Sequence, residues 1–173
     1  EWLVESGKCI QTLRGHSNNV LHVCYSEDGK KILSACRDGI VKEWLVETGK
    51  CIQTINTHKN SVMFVCYSPD GRKILSTSAN STIEEWSVET GSCLKSYIGH
   101  TNIVKSACYS NDGKKILTSS YDKSVKEWSV ETGECLQTFN GYDPYTDGVS
   151  YNSNFKRVLI FYSDKTIQEW SRK

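Results

Sequence analysis

No stretch of the chain approaches the roughly 18 to 20 consecutive apolar residues of a membrane-spanning helix. No basic stretch leads into an apolar segment as in a secretory signal either. Proline is held to 2 residues and glycine to 12 among 173, which excludes collagen-like and low-complexity chains. Neither charge sign dominates: 21 basic side chains meet 20 acidic ones, for a net charge of +1. Without a dense Lys/Arg run, the electrostatic signature of a nucleic-acid or anionic-membrane binder is missing. There is no Gly-rich phosphate loop, no H-E-x-x-H, no EF-hand string and no C-x-x-C pair, so neither a cofactor nor a metal is expected. Helical periodicity is absent too. These absences leave a cytoplasmic protein whose partner is a protein or peptide, not nucleic acid or membrane.

What the sequence has in abundance is self-similarity. Trp2, Trp44, Trp86, Trp128 and Trp170 are its 5 tryptophans, each 42 residues from the next. The strings EWLVESGKC, EWLVETGKC, EWSVETGSC and EWSVETGEC repeat in that register, as do YSEDGKKIL, YSPDGRKIL and YSNDGKKIL. A period of 20 to 50 residues marks a solenoid, propeller or array. Turn signals recur every 8 to 12 residues, which leaves room only for short strands, four to a unit. In the second unit they fall at about Val62 to Tyr67 (a), Lys73 to Ser78 (b), Ile83 to Val88 (c) and Ser92 to Tyr97 (d). Asp70-Gly71 makes the a–b hairpin, because Gly accepts the positive φ of a tight turn.

With Gly15-His16 and Gly99-His100 (Thr57-His58 between them), an Asp or Asn before strand c and the strand-c Trp, the whole chain resembles the WD40 family of β-propellers. Trp-Leu or Trp-Ser stands where that family usually has Trp-Asp. The resemblance implies an all-β propeller with four blades of four antiparallel strands. Residues 1–14 then hold a closing strand d, 15–56 blade 1, 57–98 blade 2, 99–140 blade 3 and 141–173 a degenerate blade 4.

The resemblance also implies a buried hydrogen-bonded tetrad in each regular blade: His16, Ser34, Asp38 and Trp44; His58, Ser76, Asn80 and Trp86; His100, Thr118, Asp122 and Trp128. A buried indole or imidazole left unpaired costs a few kcal/mol, and the hydroxyl and carboxylate offset that. Cys36, Ser78 and Ser120 are alternative donors two residues after the strand-b hydroxyl. Ser, His and Asp together also suggest a nucleophile, His16 activating Ser34. A catalytic triad is needed once, however, and this constellation comes three times, as a folding device does. His22 has no counterpart in the register and is assigned to a surface.

The 8 cysteines fall into the same period. Cys9, Cys51, Cys93 and Cys135 share one position at the start of strand d, Cys24, Cys66 and Cys108 another at the end of strand a, and Cys36 stands alone. They read as small apolar side chains between blades, with disulfides across blades the alternative. Lys30, Lys31, Arg72, Lys73, Lys114 and Lys115 read as solvated hairpin ends.

The last unit breaks the pattern. Tyr142 replaces the loop His and Ile160 the strand-b hydroxyl, leaving Asp164 and Trp170 of the tetrad. It is either a decayed terminal repeat or an aromatic lip in which Tyr142 and Tyr145 anchor a partner. In WD40 proteins partners tend to dock around the channel mouth, which implies Arg37 and Tyr121 before strand c, and Met63 and Lys105 near the start of strand a, as partner-binding residues.

The one methionine is Met63 and the chain opens inside a strand c, so it reads as a piece of something longer. Propellers of this family usually close at seven or eight blades, and two chains of four make eight. The expected assembly is therefore a homodimeric ring, each N-terminal strand d pairing with the partner's last strand c; the rival is further blades in the same polypeptide. The expected function is a non-enzymatic interaction scaffold or sensor. The alternatives are a hydrolase or lyase built on a propeller, or an array with a structural role only.

Overall fold

The computed structural model describes residue 1 and residues 4–140, 146–151, 157–162 and 165–171. Its strands form four antiparallel sheets, and no helix occurs among the described residues. Blade 1 is β1 (Val20–Tyr25), β2 (Lys31–Cys36), β3 (Ile40–Leu45) and β4 (Cys51–Asn56). Blade 2 is β5 (Val62–Tyr67), β6 (Lys73–Ser78), β7 (Ile83–Ser87) and β8 (Cys93–Tyr97). Blade 3 is β9 (Val104–Tyr109), β10 (Lys115–Ser120), β11 (Ser124–Ser129) and β12 (Cys135–Asn140). Blade 4 has β13 (Thr146–Tyr151), β14 (Arg157–Tyr162) and β15 (Ile167–Ser171). Strands pair in sequence order within each sheet. The propeller blades expected from the repeat are thus present, with β7 and β8 each one residue shorter than strands c and d were drawn.

The a–b turn shows why Asp-Gly recurs. Asp70 Oδ1 accepts hydrogen bonds from Ser68 Oγ and from the Arg72 backbone N–H, while Gly71 sits at φ +69°. A non-glycine residue there pays for left-handed backbone, and the aspartate satisfies the turn's donors.

Burial in blades 1 to 3 peaks at the second strand and falls off to the fourth. Strands β2, β6 and β10 are buried over five of six residues, whereas β4, β8 and β12 are mostly exposed. Blades pack face to face. Leu33, Val41 and Ile55 of blade 1 meet Val62, Val65, Ile74 and Trp86 of blade 2. Leu75, Ile83 and Tyr97 meet Val104, Ala107, Ile116 and Trp128. Leu117, Val125 and Phe139 meet Val149, Val158 and Ile160. Each fully buried Leu, Ile or Val is worth about 1.5–3 kcal/mol, so the interfaces between blades, not the blades alone, hold the array together.

Two expectations about cysteine and the termini change here. Cys9, Cys51, Cys93 and Cys135 are exposed and do not pack between blades, because strand d is each blade's outer edge. All eight thiols are free, and only Cys24, Cys36, Cys66 and Cys108 are sheltered. Burial pushes the Cys24 thiol up to about 11 and the Cys108 thiol up to about 12. Residues 10–16 form no strand. Instead the Glu1 carbonyl accepts from Ile10 N–H at 2.9 Å, and the N-terminal ammonium donates to the Gln11 carbonyl at 2.8 Å. The chain does not itself supply a fourth strand to β15 among the described residues.

Candidate functional site

The tetrad residues meet fully in blade 3. His100 Nδ1 lies 2.7 Å from Asp122 Oδ2 and its Nε2 2.8 Å from Thr118 Oγ1, while Trp128 Nε1–H donates to the same hydroxyl at 2.8 Å. Blade 2 reroutes the carboxylate arm. His58 Nε2 meets Ser76 Oγ at 2.7 Å and Trp86 donates to that hydroxyl at 3.0 Å, but Nδ1 faces Thr82 Oγ1 at 2.9 Å. Asn80 is exposed and stands behind Thr82, whose hydroxyl donates to Asn80 Oδ1 at 2.6 Å. Blade 1 opens that arm. His16 Nε2 is 2.6 Å from Ser34 Oγ and Trp44 donates to Ser34 at 2.8 Å. Asp38 Oδ2 stands 3.8 Å from His16 Nδ1 and accepts instead from the Ser17 hydroxyl at 2.8 Å. Desolvation lowers the pKa of all three histidines, and drives that of His58 down to about 4.

Cys36, Ser78 and Ser120 do not reach the imidazoles as alternative donors. They donate to the backbone carbonyls of Asn18, Ser61 and Asn102 at 3.2, 3.0 and 3.0 Å. They tie the start of each blade's strand a to its b–c turn. In blade 4, Ile160 is core, and Trp170 Nε1–H donates to Gln168 Oε1 at 3.2 Å. Gln168, which the repeat pattern did not single out, also accepts from the Tyr162 hydroxyl at 3.1 Å. Asp164 lies outside the described residues, as do Tyr142 and Tyr145. His22 is half-buried, not on an open surface, and its ring lies 4.0 Å from that of Phe64.

A second relay escaped the sequence reading. Tyr67 of blade 2 donates to the buried Glu43 of blade 1 at 2.7 Å, and Lys31 donates to the same carboxylate at 3.1 Å. Tyr109, Glu85 and Lys73 repeat this at 2.7 and 3.1 Å, and Tyr151, Glu127 and Lys115 at 2.9 and 3.2 Å. Lys31, Lys73 and Lys115 are therefore partners of buried carboxylates rather than solvated hairpin ends. The signal was in the sequence, since these Tyr, Glu and Lys all keep the 42-residue register.

The loop face above these supports holds the residues expected to bind a partner. Strand a bulges where it meets strand b, and the residue left out of the ladder is Leu21, Met63, Lys105 or Asp147 in turn. A bulge re-aims the extra side chain away from the sheet. Lys105 Nζ sits 6.0 Å from the centre of the Tyr121 ring, at the outer reach of a cation–π contact. Arg37 is exposed, and its carbonyl accepts from Ser61 Oγ at 3.4 Å, which links it to the loop leading to Met63. Lys105 and Tyr121 thus form one neighbourhood on the rim, while Arg37 is tied only through its backbone to the loop that precedes Met63. The inner strands and the a–b turns line an open groove of about 730 Å³, bordered by Cys24, Phe64, Cys66 and Cys108 on the strands and by Glu27, Pro69 and Asn111 at the turns.

Comparison with known proteins agrees with this geometry. The crystal structure of the WD40 beta propeller domain of Doa1 superposes with a TM-score of 0.85 at 25% sequence identity, over 93% of this chain and 53% of that one. The chain thus spans about half the length of that propeller. No curated protein matches it in sequence. The family model of the WD domain, G-beta repeat, matches residues 7–44, 49–87 and 91–129, more than half of the sequence, and the chain belongs to the WD40 family.

Proposed function

We propose that the chain is a non-enzymatic binding platform whose blades hold a peptide or protein at the loop face, through Arg37, Met63, Lys105 and Tyr121. The observation that carries this reading is the bulge repeated in every blade. It projects a different side chain each time, Leu21, Met63, Lys105 and Asp147, from one conserved backbone position. The scaffold is held constant while the reading residues vary, as a recognition surface requires. Aromatic and cationic groups at a rim are favoured anchors, and Lys105 beside Tyr121, with the exposed Arg37 on a neighbouring blade, suits an acidic peptide segment. The test is selection of peptides from a random display library on the immobilised chain. Recovered peptides enriched in Asp or Glu, and losing at least about tenfold in affinity with Lys105→Ala/Tyr121→Ala, support the reading. Peptides indifferent to that variant and to Arg37→Ala contradict it.

The ends of the array extend the proposal to self-association. Val20 and Val23 are 48% and 58% exposed, whereas their counterparts Val62 and Val65 are at 0%. At the other end Ile167 is 65% exposed against 0% for Val41 and Ile83. Tyr25, in register with Tyr67, has Glu1 as its only acceptor in the described residues, at 3.2 Å, and Glu169, in register with Glu43, is exposed beside Arg157 at 2.9 Å. We propose that a second copy of the chain covers this face, its Ile167 and Phe161 set against Val20 and Val23 and its Glu169 displacing from Tyr25 the Glu1 carboxylate, which stands in the register of Glu43. The resulting contact is head-to-tail and closes after two copies into eight blades.

A further inference from the structure

Blade 1 departs from its sister blades at two places around its histidine. Ile40 stands in register with Thr82 and Ser124, whose hydroxyls lie 2.9 and 3.3 Å from His58 Nδ1 and His100 Nδ1. Cys36 stands in register with Ser78 and Ser120. The consequence is a histidine with one ring nitrogen engaged and one not. The His16 side chain is only 6% exposed, and its Nδ1 has no hydrogen-bond partner. That nitrogen faces Asp38 Oδ2 at 3.8 Å, too far for a hydrogen bond. The Cys36 sulfur completes a group in which all three ligand atoms lie within 4.8 Å of one another. No other such group of three occurs among the described residues.

We propose that His16 Nδ1, Cys36 Sγ and Asp38 Oδ2 form a binding site for a borderline-soft divalent cation, Zn²⁺ above all, that pins the loop entering blade 1 to its b–c turn. The donor set argues for the ion. Thiolate and imidazole beside one carboxylate suit Zn²⁺ and Co²⁺ and do not suit Ca²⁺ or Mg²⁺, which require oxygen ligands. The hydrogen bonds already present prepare the imidazole. Ser34 Oγ accepts from Trp44 and can point its own proton to the Lys42 carbonyl at 3.5 Å. Its second lone pair then receives His16 Nε2–H at 2.6 Å, leaving a lone pair on Nδ1. A hydrogen-bonded partner on the far nitrogen is the usual way a ligating histidine is oriented. The Ile40 backbone N–H, donating to Asp38 Oδ1 at 3.1 Å, steadies the carboxylate while Oδ2 turns to the metal. On binding, Cys36 releases its thiol proton to solvent and forms one metal–sulfur bond; the ion's charge is otherwise balanced by Asp38. Three protein ligands leave the fourth tetrahedral position to water.

Cobalt titration of the reduced full chain tests the site, since a thiolate–Co²⁺ bond gives an intense ultraviolet charge-transfer band. The expected result is a band saturating at one Co²⁺ per chain and abolished by one equivalent of Zn²⁺. Cys36→Ser installs the residue that blades 2 and 3 carry at this position, so it folds, as circular dichroism will verify, and the band disappears. Asp38→Asn, which copies Asn80 of blade 2, weakens Zn²⁺ binding by about 10- to 100-fold. Zn²⁺ raises the melting temperature of the parent and leaves that of Cys36→Ser unchanged. The proposal is overturned if the parent gives no band, or if the band survives in Cys36→Ser, because the metal would then sit on other thiols such as the exposed Cys9 or Cys51.

Discussion

The Tyr67 hydroxyl donates a 2.7 Å hydrogen bond across the boundary between blades 1 and 2 to Glu43, a carboxylate only 3% exposed. Lys31, from Glu43's own blade, reaches the same group. A carboxylate this deep is tolerated only because both partners are in place. Each boundary between blades thus carries one polar lock inside an apolar face.

The lock predicts a double-mutant cycle. Tyr67→Phe is expected to cost about 1–3 kcal/mol, the penalty for an under-satisfied buried acceptor. Glu43→Gln keeps the shape but loses the charge, and the pair should couple by about 0.5–3 kcal/mol. Urea denaturation of the four proteins measures it; additive losses would show that the hydroxyl and the carboxylate do not act together.

The tetrads predict an order of severity. Thr118 Oγ1 serves both His100 and Trp128, so Thr118→Val strands two buried polar groups and should cost about 2–5 kcal/mol. Asn80 is exposed and supports only Thr82, so Asn80→Ala should stay below about 1 kcal/mol. Equal losses in chemical denaturation would mean that the rerouting in blade 2 is not real.

Glycine at position 39 carries a separate test. Its φ is +83°, and a Cβ placed there runs into the His58 carbonyl of the next blade. Gly29 has a similar φ of +69° but open space around it. Gly29→Ala should therefore cost about 1 kcal/mol, and Gly39→Ala clearly more, because the backbone of blade 2 has to move. Melting curves that shift alike for both would refute the close approach.

Acid should loosen blade 2 ahead of ordinary carboxylate titration. Burial lowers the His58 pKa from 6.5 to about 4, so between these values the unfolded chain binds the proton and the folded chain does not. The stability is complete above pH 6.5 and is lost as pH falls toward 4. The difference between the two values corresponds to at most about 3 kcal/mol. Glu84, 3.2 Å from His58 Nδ1 and itself raised by burial, opposes part of that loss. Denaturation at pH 7 and pH 4.5 reads the effect, which His58→Gln should largely remove. A flat profile in the parent would contradict it.

Much of the blade was legible in the sequence because a period of 42 residues exposes every position four times. The strands, the Asp-Gly turns and the His, hydroxyl and Trp positions follow from that repetition. What was not legible depends on neighbours across a boundary. The exposed position of Cys51, Cys93 and Cys135 follows from strand d being the outer edge, which composition does not reveal. Lys31 looked like a solvated turn because its partner Glu43 lies on another strand, and Tyr67 reaches that glutamate from another blade. Asn80 failed to meet His58 because Thr82, two residues on, occupies the place between them. In blade 4, Gln168 replaces the lost hydroxyl as the partner of Trp170 from a position that carries Lys42, Glu84 and Lys126 in the other blades.

Blade faces within the chain are completed by the neighbouring blade, and the proposed second copy would do the same for the face exposing Val20, Val23 and Tyr25. Light scattering coupled to size exclusion tests it most directly. The account predicts about 39 kDa, twice the 19.6 kDa of one chain, falling to the single-chain value with Val23→Asp. A mass of about 20 kDa for the unmodified chain at micromolar concentration would contradict it.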